Sequence, residues 1–87
     1  MRYASRVDKN QQEIVQALRD AGCYVWILGL PVDILVGYDN QVFLCEIKDG
    51  PSKHLTRLQQ DFFGNWTGGS LYRINSVDDA LRMIGAL

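Results

Sequence analysis

The arrangement of apolar residues predicts an α/β fold with the element order α-β-β-β-α-β-α. Two observations carry it. Three stretches repeat their apolar residues at helical spacing behind capping signals, and four short β-branched or aromatic runs sit between glycines, prolines and turn residues. A third narrows it: two of the runs flank a short polar turn and read as a β-hairpin.

Asp8 followed by Gln11 opens the first helix. Ile14, Val15, Leu18 and Ala21 then recur on one face until Gly22 offers a C-terminal cap, giving a helix over about residues 9 to 21. Residues 23 to 28 are too short for a helix and are rich in strand formers between Gly22 and Gly29, so they predict a strand. Pro31 opens a second strand over residues 32 to 37, and the turn Tyr38-Asp39-Asn40-Gln41 returns it as a third over 42 to 48. Asp49-Gly50-Pro51-Ser52 breaks the chain into a loop. Thr56 and Gln59 form a second capping box, and Leu55, Leu58, Phe62 and Trp66 fall on one face of the helix that follows. Thr67-Gly68-Gly69-Ser70 ends it, Leu71 to Ile74 is a short strand, and Ser76 with Asp79 caps a last helix carrying Val77, Ala80, Leu81 and Ile84.

The 87 residues show no composition break, which predicts one domain over 1–87 whose modest core dimerisation would supplement. Hydrophobic residues at 47% and charged residues at 22% exclude a disordered or fibrous chain. No apolar stretch has the length of a membrane span, and no apolar signal core follows Met1, so a cytoplasmic location without membrane contact is expected. Cys23 and Cys45 lie in apolar runs without metal-ligand spacing, which favours buried free thiols over zinc ligands. The net charge of −1 means that any nucleic-acid contact must be local. Lys48, Lys53, His54 and Arg57 form one basic concentration, and Arg2, Arg6 and Lys9 another; the alternative is that these are scattered solvated charges.

Chemistry concentrates in the hairpin. Strand alternation puts Glu46 and Lys48 on one face, together with Val42 and Leu44. A turn centred on Asp39-Asn40 pairs residues whose numbers sum to 79, which sets Leu35 against Leu44 and Asp33 against Glu46. Opposed like charges destabilise a sheet, so the carboxylates call for a compensating cation: Lys48, or a divalent ion with oxygen ligands. The competing explanation is an ion cluster that keeps an edge strand soluble.

Pro31-Val32-Asp33, the hydrophobic strand and turn, then Glu46-Ile47-Lys48 resemble the motif of the PD-(D/E)XK nuclease superfamily, although Val32 separates the proline from the aspartate. The run Asp33-Ile34-Leu35-Val36-Gly37, Glu46-Ile47-Lys48-Asp49-Gly50, and Leu55-Thr56 leading to Gln59-Gln60 and Trp66 are similar to the small stand-alone VRR-NUC proteins of phages and their hosts. The resemblance covers nearly the whole chain and implies a restriction-endonuclease-like core, a mixed sheet flanked by helices. It further implies that Asp33, Glu46, the Ile47 carbonyl and Glu13 of the first helix bind Mg2+ or Mn2+, that Lys48 serves catalysis, and that Gln60, or with less support Gln59, completes the site.

The function expected from this resemblance is a metal-dependent endodeoxyribonuclease, selective for branched DNA such as a Holliday junction or flap, acting as a homodimer in a bacterial or phage-infected cell. Lys53, His54, Arg57 and Lys9 are the expected nucleic-acid contacts, the first three just ahead of or at a helix N-terminus suited to phosphate. Trp26, Phe62, Phe63 and Trp66 suit core or dimer surface better than base stacking. The rival expectation is a non-catalytic module that binds nucleic acid or protein on a nuclease-like fold.

Overall fold

The first helix closes as its sequence demands. In the computed structural model, which describes residues 9–48 and 55–87, α1 runs over Lys9–Asp20. Gly22 lies at a φ of +100°, and the amides of Gly22 and Cys23 return to the carbonyls of Arg19 and Leu18, the paired bonds of a Schellman cap. Asp8, its proposed start signal, lies outside the described residues, as do Arg2, Arg6, the 49–52 loop, Lys53 and His54.

The remaining elements are β1 (Tyr24–Ile27), β2 (Ile34–Tyr38), β3 (Gln41–Ile47), α2 (Arg57–Asn65), β4 (Leu71–Ile74) and α3 (Val77–Met83), in the expected order. They form one mixed four-stranded sheet in the order β1-β2-β3-β4. The first two pairings are antiparallel and β3 with β4 is parallel, the geometry that requires a crossover, here α2. Asp39 and Asn40 take φ values of +50° and +65°, so a two-residue turn joins β2 to β3 and fixes the register. Leu35 stands opposite Leu44 and Ile34 opposite Cys45, as the sequence predicts. The expected strand start at Val32 is not met. Residues 31–33 form a bend and β2 begins at Ile34, although Val32 itself is fully buried.

Alternation sorts the two faces. Val25, Ile34, Val36, Phe43, Cys45, Ile47 and Ile74 turn inward, where Ile14, Val15 and Leu18 of α1 and Ala80 of α3 complete the core. Both cysteines are buried free thiols. The opposite face carries Tyr24, Trp26, Leu35, Val42, Leu44 and Glu46, and α2 reaches it through Gln59, its one buried residue. The Leu58-Phe62-Trp66 stripe therefore does not enter the core: Leu58 and Trp66 are exposed, and Phe62 packs on Phe63 and Trp66 instead.

Candidate active site

Asp33 is held from three directions at the start of β2. Its amide donates to the Cys45 carbonyl (3.0 Å), its carbonyl accepts from the Leu28 amide (2.8 Å), and its Oδ2 accepts from the Ile47 amide (2.7 Å). The carboxylate thus replaces the ladder partner that Ile47 would find if β2 began earlier. A strand residue's amide and carbonyl point to the same side, so the Ile47 carbonyl is also directed toward Asp33, while the next amide, Lys48, donates to Ile74 in β4.

Glu46 lies between Cys45 and Ile47, the two β3 residues that bond Asp33, and is 1% exposed. Its Oε2 accepts from Gln59 Nε2 at 2.5 Å and meets Lys48 Nζ at 3.1 Å. Its Oε1 is buried with no hydrogen-bond partner among the described residues. A buried carboxylate oxygen without a donor carries a desolvation cost that a cation would relieve. Lys48 also reaches Gln59 Oε1 at 3.5 Å, and its side chain is only 17% exposed.

Gln59 thereby does two tasks. Its Oε1 accepts from the Thr56 amide (3.0 Å) and hydroxyl (3.2 Å), closing the predicted capping box, while its amide nitrogen turns to Glu46. Of the two expected glutamines, Gln59 is the one against Glu46, whereas Gln60 is exposed and donates to the Leu55 carbonyl at 3.1 Å.

Glu13 lies on the outer side of α1. At 3.6 residues per turn it lies about 200° around α1 from Gln11, whereas Ile14, Val15 and Leu18 share Gln11's side. Glu13 is accordingly exposed and Gln11 buried. Among the described residues no group of three or more His, Cys, Asp or Glu side chains converges. Gln11 sits in the first turn of α1, which Asn10 ties to the Asn75 carbonyl (3.1 Å) just beyond β4, and it borders a shallow depression with Val15, Arg19 and Ile27. The sequence signal for Gln11 is its place in the apolar periodicity.

Lys9 and Arg57 are exposed at the starts of α1 and α2, while Lys53 and His54 lie outside the described residues. Burial raises the Cys23 thiol above its usual range. Burial, then the nearby Asp33 charge, then Cys23 push the Cys45 thiol up to about 12. Both are inert neutral thiols rather than nucleophiles.

No protein-family model matches this chain, and no match was found among curated proteins or solved structures.

Proposed function

We propose that the chain is a metal-dependent endodeoxyribonuclease of PD-(D/E)XK type, with a restriction-endonuclease-like core and a VRR-NUC-like site. The observation that carries the proposal is the buried, donorless Oε1 of Glu46 beside Lys48, with the Asp33 carboxylate bonded to the next residue of the same strand. The strand order, with an antiparallel β1-β2-β3 meander and a parallel β4 across a helix, supports it. So does the concentration of Asp33, Glu46 and Lys48 at one end of a hairpin.

The donors fit a hard cation that retains several waters. Glu46 Oε1, the Asp33 carboxylate and the Ile47 carbonyl would hold Mg2+ or Mn2+, all of them oxygen ligands. When bound, such an ion supplies Lewis-acid charge against the phosphate oxygens of the substrate. Gln59 holds the Glu46 carboxylate in place through Oε2, leaving Oε1 without a donor. The Ile47 amide fixes Asp33 in the same way. Lys48, balanced against Glu46 in the resting chain, orients the attacking water and stabilises negative charge developing on the phosphate. Water adds to phosphorus, the phosphodiester P–O bond breaks, and the leaving oxygen takes a proton. Branched DNA as the preferred substrate rests on the VRR-NUC resemblance.

The rival, a non-catalytic binding module, has one observation in its favour: Lys48 and Gln59 already satisfy one oxygen of Glu46 from within the chain. The deciding experiment incubates labelled duplex, single-stranded, flap and four-way-junction DNA with wild type, Glu46→Ala and Lys48→Ala, with and without manganese. Manganese-dependent cutting by wild type, reduced at least about 100-fold in both variants, supports the nuclease. A parallel melting series should show manganese stabilising wild type and not Glu46→Ala. Binding without cutting, combined with no metal-dependent stabilisation, establishes the binding module instead.

A further inference from the structure

We infer that Leu30, in the loop between β1 and β2, is an apolar wedge that enters the stack of bases beside the phosphate being cut; the inference rests on the nuclease proposal for its substrate. Residues 28–33 leave β1 and return to β2, and the amides of Leu28 (2.8 Å) and Gly29 (3.2 Å) both donate to the Asp33 carbonyl, closing the loop at its base. Val32 is fully buried and pins the returning limb, whereas Leu30 is 64% exposed. Its exposure therefore belongs to a held loop and not to a frayed end. Leu30 precedes Asp33 by three positions, so their Cα atoms lie at most about 11 Å apart. Bases follow one another at about 3.4 Å along a strand, so DNA whose phosphate meets an ion at Asp33 carries its neighbouring bases within reach of this loop.

The composition of this side of the site selects bases over phosphates. From Ala21 to Val32 the chain has no charged residue, so the segment offers a phosphate no cation. Phosphates are held by charged and polar groups, whereas an apolar side chain set between two bases can separate them and kink the duplex. Gly29, at a φ of +87°, supplies the left-handed residue that the turn out of β1 requires. A lone exposed leucine is an ordinary surface feature. Leu30 differs in being fixed close to Asp33 on a charge-free rim. Opening a base step costs least where the bases are already mispaired or unpaired. A wedge at this point therefore gives the chain its own preference for distorted or branched DNA.

The test mixes the full chain, as wild type, Leu30→Ser and Leu30→Met, with a flap DNA carrying 2-aminopurine, a base that brightens when unstacked, in the pair next to the branch. Calcium replaces manganese in this arm. Wild type and Leu30→Met should brighten the probe and Leu30→Ser should lose the rise, with all three melting together because the side chain is exposed. In manganese, Leu30→Ser should cut the paired flap about tenfold more slowly than wild type, yet cut a flap mismatched at that pair at nearly the wild-type rate. A Leu30→Ser variant that brightens the probe like wild type, or that slows both flaps equally, overturns the inference and leaves the nuclease standing. Light scattering that shows a wild-type dimer lost in Leu30→Ser assigns the loop to the contact between copies and also overturns it. Wild type that brightens the probe but never cuts removes the nuclease, and the wedge is then still decided by the fluorescence of the variants. Wild type that leaves the probe dark overturns the inference, alone if DNA is still cut and together with the nuclease if it is not.

Discussion

Enclosure of Cys45 between the sheet and α3, its Sγ 3.5 Å from Met83 Sδ, gives the fold an alkaline limit. The folded thiol titrates at about 12 against an ordinary value of 9.0, so it holds its proton more tightly than the unfolded chain does. The stability tied to that proton is complete below the ordinary value and is lost as pH rises from it toward the folded value. Chemical denaturation at a series of pH values should show stability falling from about pH 9, by at most about 1.4 kcal/mol per pH unit from this group. Cys45→Ala should flatten that limb, leaving a smaller slope from Cys23, whose thiol is shifted in the same direction. An equally steep limb in the variant would assign the decline to other groups. At this scale the neighbourhood of Glu46 and Lys48 was legible because strand alternation puts them on one face. Gln59 was obscured by its second task, since a capping-box glutamine looks fully employed at the helix start. Glu13 came from the resemblance alone, and the helical period turns it away from the side that carries Leu18.

Among the elements, the β2–β3 hairpin sets the site, and its turn is the most exacting point in the backbone. Asp39 and Asn40 both occupy the left-handed region, which short polar side chains tolerate and β-branched ones resist. Asn40→Val should cost about 1–2 kcal/mol, a fall in melting temperature of roughly 4–16 °C for a domain of this size. Any cleavage per folded molecule should persist, because the turn lies at the opposite end of the hairpin from Asp33 and Glu46. A variant that melts like wild type would mean that the turn relaxes into another type. The hairpin and the capped helices were legible because their signals are local. The expected Val32 start was not, because Asp33 bonds to both neighbouring strands and its side chain stands in for the ladder, a tertiary arrangement invisible to periodicity. The outward stripe of α2 has the same cause: spacing shows that Leu58, Phe62 and Trp66 share a side, not what lies against it.

For the whole molecule, the face opposite the core remains conspicuously apolar. Tyr24, Trp26 and Val42 are 68%, 57% and 72% exposed, and they stand on the side of the sheet that bears Leu35 and Leu44. Such a patch is the kind of surface that the expected homodimer would bury, since a two-fold interface must complement itself. Light scattering should report a dimer that Trp26→Glu converts to a monomer; a wild-type monomer at every concentration would leave nicking of one strand in place of paired cuts. Among the described residues no helix is long and apolar enough to cross a membrane. Asp33 and Glu46 are only 13 positions apart and are brought to the same end of the hairpin by a two-residue turn, whereas Gln59 arrives with the longer β3-α2-β4 crossover. Loop closure favours the nearer contact, so during folding the acidic pair assembles before the groups that later surround it. If the proposed metal site is correct, the nascent hairpin passes through a stage at which its carboxylates precede Gln59, and a divalent cation present then should speed the chain's collapse.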